Sequence, residues 1–297
     1  MLKIPPKDVK TWIGWIAFSI SILTACFWAF WGIIENFHEG WYHEALGQNL
    51  VMMFAQYLAP VIITITLSLV GIFRNKLGAL FFLGTGIFLA FFVNNPIASV
   101  PLILIGTLFW FGDFSPKKWK YRLMLILPGL TLIIAGIEPI VRVSSRVNDR
   151  NFQAREIRQN GVALVWAPQG PGWPEDGMSW HEADSICTYL NEDGLSLSDH
   201  PQNIWRLPTV EEAVKSMQRH GKNAKGKLDT KGNPEYETRP DKETPLWNPN
   251  RQVIYWWTST EIDSAKAYII VYDGKIWERR KNFGPKYLGF REVKDID

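Results

Sequence analysis

Charge is scarce in the first half of this chain, and cysteine is scarce throughout. Of 297 residues only two are cysteines, Cys26 in an apolar stretch and Cys187 in a polar one. Two cysteines in such different surroundings give no disulfide framework and no cysteine-based zinc site. Residues 1–149 hold 11 Lys and Arg and 7 Asp and Glu, which leaves 21 and 22 of the totals of 32 and 29 for residues 150–297. The formal charge of +3 therefore comes from the apolar half. Basic residues flank membrane spans for topological reasons, so this charge is no argument for a nucleic-acid partner. No histidine falls inside an apolar segment, which speaks against haem. The single acidic or basic side chain within those segments is Glu138, near the end of the last one and beside Pro139. It reads as an interfacial carboxylate, because transport or proton relay would normally require several such groups.

Apolar segments occur at about 11–34, 50–73, 77–93, 97–112 and 123–141. The first is 24 residues long, beyond the ~7–15 of a signal-peptide core, and reads as an uncleaved span. The third and fourth are short for a span, which needs about 20 residues. As a single helix they would reach about 54 Å, nearly twice the ~30 Å hydrocarbon core. Asn94-Asn95-Pro96 supplies turn chemistry between them, so two short helices are expected. Lys3, Lys7 and Lys10 precede the first segment, Arg74 and Lys76 lie between the second and third, and Lys117, Lys118, Lys120 and Arg122 precede the fifth. The loop ENFHEGWYHEALGQN and the Asn-Asn-Pro turn contain no Lys or Arg. This asymmetry alternates correctly with five spans, an internal N-terminus and an external C-terminus in the cytoplasmic membrane. Arg142, Arg146 and Arg150 run against it, but they lead a long domain, where the rule weakens. The first loop also gathers His38, Glu39, His43 and Glu44, weak metal-site candidates. The histidines are five apart instead of the four that put ligands on one helical face, and Gly40 interrupts. Gly86 and Ala90 form a small-xxx-small pair suited to helix packing.

The expected organisation is an all-α membrane domain of five spans over 1–142, a polar stalk over 143–160, and an α+β domain over 161–297. GVALVWAP reads as a strand. Ser179 and Glu182 form an S-x-x-E capping box, followed by Ala183, Ile186, Cys187 and Leu190 on one helical face. Cys187 there reads as a buried apolar residue and not a nucleophile. Thr209 and Glu212 repeat the box ahead of Val210, Ala213, Val214 and Met217. Residues 218–252, rich in Gly, Asn, Pro and Lys, form a connection long enough to be functional or mobile. VIYWWTST is a strand, AYIIVYDGKIWERR a hairpin with an Asp-Gly turn favouring type I′, and YLGFREV a last strand.

GMSWHEADSICTYLN, WRLPTVEEA, WWTSTE, the Asp-Gly hairpin and LGFREV stand in the order found in the Lcl C-terminal domain family. Residues 160–294 resemble that family, which belongs with the C-type-lectin-like folds close to the formylglycine-generating enzymes. The resemblance implies two helices against twisted antiparallel strands, with the domain's two ends close together. It also implies an extracytoplasmic recognition or adhesion module, with Trp180, Trp205 and Trp257 in the core. The chain departs from the pattern at Phe290, where the family commonly has a cysteine near the final arginine, so no bridge to Cys187 forms. The paired cysteines that hold copper in formylglycine-generating enzymes are absent, as are the Glu-Pro-Asn and Trp-Asn-Asp calcium signatures of sugar-binding lectins.

The function expected is recognition without catalysis and without a cofactor, the partners being the bilayer and an envelope glycan or protein. Trp173, in QGPGWPEDG, and Trp247, in the long connection, are the aromatics expected to be exposed, and Lys222, Lys225 and Lys227 the basic residues expected to meet an acidic glycan. Two alternatives stand beside this: an accessory subunit of another membrane protein, and an enzyme with its site in the first loop or between the domains.

Overall fold

The computed structural model describes residues 7–94 and 96–296. Lys3 and Asn95, used above for the charge pattern and the turn, lie outside the described residues. Two compact units divide the chain, one holding residues up to 41 with 45–141, the other residues 42–44 with 142–297.

The first unit is helical. Helix α1 (Lys7–Glu35) ends in a π-helical turn, Asn36–Gly40. Helix α2 (Leu46–Met52) runs through a second π-turn, Met53–Tyr57, into α3 (Ala59–Phe73). Then follow α4 (Asn75–Phe91), α5 (Pro96–Phe111) and α6 (Lys117–Ser144). Apolar side chains leave the backbone to satisfy itself, which a helix does entirely within one segment. The few hydroxyls conform: Ser21, Thr64 and Ser68 each donate to the carbonyl four residues back, at 2.7–2.8 Å. Two helices, Asp8–Gly40 with its π-turn and Lys117–Ser144, are long and apolar enough to cross a membrane. The α2–α3 pair, bent by 56°, brings the number to three if it counts as one span, against the five spans expected. Helices α4 and α5 have 17 and 16 residues, or about 25 Å, short of the ~30 Å hydrocarbon core. They pack closely at Gly86, where a Cβ would come within 2.7 Å of Ile103 Cγ1. Only glycine permits that approach.

The second unit is rich in strands. Strands β1 (Arg155–Gln159), β2 (Val162–Trp166) and β11 (Val293–Asp295) make an antiparallel sheet in which Leu164 faces both Ile157 and Asp295. The segment read as a stalk thus contains β1. A four-stranded sheet has the order β10 (Leu288–Gly289), β7 (Tyr255–Glu261), β8 (Lys266–Val271) and β9 (Ile276–Arg280), with β10 parallel to β7. Helices α7 (Trp180–Tyr189) and α8 (Val210–Ser216) begin at the two capping boxes, both of them fully formed. Their inner faces, including Ala183, Cys187, Ala213 and Val214, join Trp166, Trp257, Ile269 and Ile270 in one core. Two indoles pin α7 to the sheet and to its own approach: Trp180 donates to Thr258 O at 2.9 Å and Trp257 to Met178 O at 2.8 Å.

Three expectations need correction. The YLGFREV segment is two short strands in different sheets, β10 and β11, with Phe290, Arg291 and Glu292 buried in the crossing. The Asp-Gly turn is not type I′, which needs positive φ at both central residues; here Gly274 has φ +87° and Asp273 is not positive. The Gly274 N–H bonds Val271 O and the Val271 N–H bonds Lys275 O, the pattern of a three-residue loop. Tyr272, fully buried, and Asp273, held by Arg239 and Lys275, occupy its first two positions. The long 218–252 connection is not an open loop. It carries two small hairpins, β3 (Gln218–Arg219) with β4 (Lys222–Asn223) and β5 (Lys227–Leu228) with β6 (Pro234–Glu235), and then a segment over 240–249 that enters the core.

Candidate functional site

Lys222, Lys225 and Lys227 are exposed on or beside the two hairpins. Asn223 turns the chain there, accepting the Lys225 N–H on its side-chain oxygen at 2.7 Å. Two of the lysines have carboxylate neighbours: Lys225 meets Glu237 at 2.7 Å and Lys227 meets Glu235 at 3.2 Å. The hairpins thus present a mixed surface whose positive charge is partly offset.

Trp173 and Trp247 do not join them. Both are buried, at 5% and 2% exposure, so neither indole can stack on a sugar. Trp247 lies flat on Trp256 with ring centroids 3.7 Å apart, edge-on to Tyr272. Trp173 lies under the Arg291 guanidinium, 3.7 Å from the ring centre, with Phe152 edge-on. Burying a large aromatic surface outweighs exposing it once a flat partner is in reach, and the partners are remote in sequence. Arg291 itself is fully buried and ties three segments together, donating to Ala167 O, Pro245 O and Leu246 O at 2.7–2.8 Å.

Trp173, Trp247 and Trp256 nevertheless wall a cleft of about 260 Å³, mouth included, with Gln169, Glu175 and Arg251 at its rim. Gln169 and Arg251 both contact the same oxygen of Glu175. The cleft contains no lysine. A wider depression of about 600 Å³ lies between β2 and α8. Its carboxylates are matched by bases: Glu212 and Asp295 by Arg206, and Glu211 by Lys215.

Two sets of buried ionisable groups escaped the sequence reading. Asp241, whose side chain is fully buried, accepts from Arg146 at 2.8 Å and Arg219 at 3.2 Å, with Arg142 at 3.9 Å. Beside it, Glu243 accepts the backbone N–H groups of Val147, at 2.8 Å, and of His220. Burial still raises its pKa, although those bonds and Arg219 pull the other way. No local periodicity marks Asp241 or Glu243, since their partners lie about 20 or about 95 residues away. The second is Glu292, which lies beside Cys187, the thiol expected to be buried. Glu292 is fully buried, and burial pushes its pKa up to about 8, against a smaller opposing pull from the adjacent Cys187 thiol. Cys187 is 4% exposed, and burial, reinforced by Glu292, raises its thiol far above the usual range. A thiol so far from ionising, closed off from solvent, is no nucleophile.

Of the weak metal candidates, His38 and Glu39 belong to the first unit and His43 and Glu44 to the second. Glu39 accepts from the Tyr57 hydroxyl at 3.3 Å. Among the described residues no group of three or more His, Cys, Asp and Glu side chains is placed to hold a metal ion. Comparison with known proteins finds no family model and no curated protein that matches the chain.

Proposed function

We propose that the chain is a multi-pass protein of the cytoplasmic membrane whose second unit lies outside and recognises an acidic glycan without catalysis. The charge asymmetry of the loops supports the orientation. Span parity supports it further. With the bent α2–α3 pair counted as one span, helix α1, that pair and α6 make three crossings; α4 and α5 add two as short spans or none as a hairpin dipping into one leaflet. Either count is odd and leaves the two ends on opposite sides. The likeness to the Lcl C-terminal domain family and its C-type-lectin-like fold is supported by the two capped helices and by the pairing of β11 with β2, which joins the domain's first and last strands in one sheet.

The observation that carries the recognition reading is the set of exposed lysines 222, 225 and 227 on or beside short hairpins, backed by a 240–249 segment that packs into the core. Loops held on a rigid scaffold are where binding residues concentrate. Because Glu235 and Glu237 already engage two of the lysines, a ligand must compete with them, and its binding is expected to be weak and salt-sensitive. The test uses the full chain in nanodiscs, titrated with a polyuronate and with a neutral glucan. Polyuronate alone should bind, its affinity should fall with added salt, and changing Lys222, Lys225 and Lys227 to Ser should abolish it without lowering Tm. Binding indifferent to salt or to those changes removes the hairpins from the site. The orientation has its own test: with Cys26 and Cys187 replaced, an impermeant thiol reagent applied outside should label T230C and spare K118C. The reverse pattern refutes the topology.

A further inference from the structure

Two of the tryptophans that wall the cleft carry indole N–H groups that have nothing to bond. An indole N–H can only donate. Elsewhere in this unit buried indoles find carbonyls: Trp180 uses Thr258 O, Trp205 uses Asn191 O and Trp257 uses Met178 O, all at 2.8–2.9 Å. Trp247 and Trp256, which wall the cleft, are 2% and 1% exposed, and the Nε1 of each has no partner. Trp166, its ring 5.6 Å from that of Trp256, is a third such case. A buried donor left without an acceptor costs about 1–3 kcal/mol. Asn248, also in the lining and 7% exposed, accepts the Asn250 N–H on its amide oxygen, so its amide nitrogen is a further donor. At the rim the Gln169 amide and the Arg251 guanidinium both converge on Oε1 of Glu175, the only acidic side chain in the lining.

We propose that this cleft is a binding site for a small carboxylate, carried by a sugar acid or by a free organic acid, which takes over the Gln169 and Arg251 donors that Glu175 now occupies. The chemistry selects the class. Donors without acceptors call for a group that accepts and does not donate, and an ionised carboxylate makes stronger bonds to such donors than a neutral oxygen does. Size narrows it further, because the floor of the cleft has room for about one water molecule, and hence for one oxygen atom. A sugar ring and the rest of its carboxylate stay at the mouth while one carboxylate oxygen enters. Glu175 is then an internal competitor that keeps the rim donors satisfied when the site is empty. None of the hairpin lysines takes part, so this site stands or fails separately from the polyuronate reading.

The experiment uses the full chain in nanodiscs with ¹⁵N-labelled tryptophan and follows the indole N–H resonances of the 15 tryptophans. Acetate, D-glucuronate and D-glucose are the probes, and W247F and W256F assign the two resonances of interest. Acetate or glucuronate should move those two resonances downfield and saturably, and glucose should not. E175Q, which removes the competing charge, should tighten binding by roughly tenfold, and R251M should weaken it by roughly tenfold or more, the scale of one charge-assisted hydrogen bond. A response to both acids fixes the carboxylate as the recognised group; glucuronate alone points to a sugar acid, acetate alone to a free acid. The proposal is overturned by no saturable shift in either the parent chain or E175Q, by an equal response to glucose, or by binding indifferent to R251M. If the Trp→Phe variants fail to fold, E175Q and R251M still decide it, since both side chains are 46% exposed and lie outside the core.

Discussion

Glu292 should make this protein less stable as pH rises, the reverse of what surface carboxylates do. Its side chain is fully buried beside the Cys187 thiol, and burial raises its pKa from 4.5 to about 8. The folded state therefore keeps a proton that the unfolded chain releases between those two values. Below pH 4.5 both states are protonated and nothing is lost. From there upward the unfolded state gains by about 1.4 kcal/mol per pH unit, until the folded state ionises near pH 8. The difference amounts to about 3 kcal/mol at pH 7 and about 5 kcal/mol above pH 8. Glu292→Gln keeps the shape and cannot ionise, so the stability of the variant relative to the parent should climb across this window. In thermal unfolding of the full chain in detergent, the Tm difference between the two should shift toward the variant by on the order of 10 °C between pH 4.5 and pH 8. A constant difference across that range would refute the reasoning, because it would mean that Glu292 ionises as it would in water.

Asp241→Asn should destabilise the second unit by about 3–5 kcal/mol, since the guanidinium groups of Arg146 and Arg219 would lose the buried carboxylate they share; an unchanged Tm would show that water already compensates them. Trp247→Ala should cost about 3–5 kcal/mol through loss of the Trp256 stack, and a variant with unaltered Tm but impaired glycan binding would restore that indole to the ligand surface. Cys187→Ala should cost on the order of 1 kcal/mol or somewhat more in lost packing and leave binding intact; a folded variant that no longer binds would overturn the reading of the thiol as inert.

Features that depend on neighbours in sequence were legible. The Ser179–Glu182 and Thr209–Glu212 boxes are each closed within four residues, and the apolar stripes behind them point inward because helical spacing leaves no choice. Features that depend on distant partners were not. Trp247 lies in a stretch of Pro, Asn and Lys that reads as solvated, and nothing nearby reveals that Trp256 offers a flat face to it. Arg291 and Glu292 were hidden by the alternation of LGFREV. As one continuous strand it would bury Phe290 and Glu292 on one face and expose Arg291 on the other; the break between β10 and β11 instead encloses all three. The cleft donors were illegible for the same reason, since Gln169 and Glu175 come from a Gly/Pro-rich turn and Arg251 from the far end of the long connection.

That packing alters how recognition should work here. A mobile connection over 218–252 would have to lose conformational freedom on binding, at a cost of about 1–2 kcal/mol for each backbone residue ordered. In this molecule residues 240–249 are already fixed, by Trp247 against Trp256, by Asp241 among arginines and by the two carbonyls that Arg291 holds. The hairpins therefore leave a packed base in a set geometry, and a ligand meeting their lysines would order little beyond the side chains. Long flexible lysines offset by Glu235 and Glu237 are poor at discriminating one anion from another, whereas the indole donors of the cleft belong to buried rings. Affinity for a polyanion should thus be a property of the hairpins and fall with salt, while discrimination among acids should be a property of the cleft, whose indole donors carry no charge to screen although half-exposed Arg251 keeps part of its binding salt-sensitive.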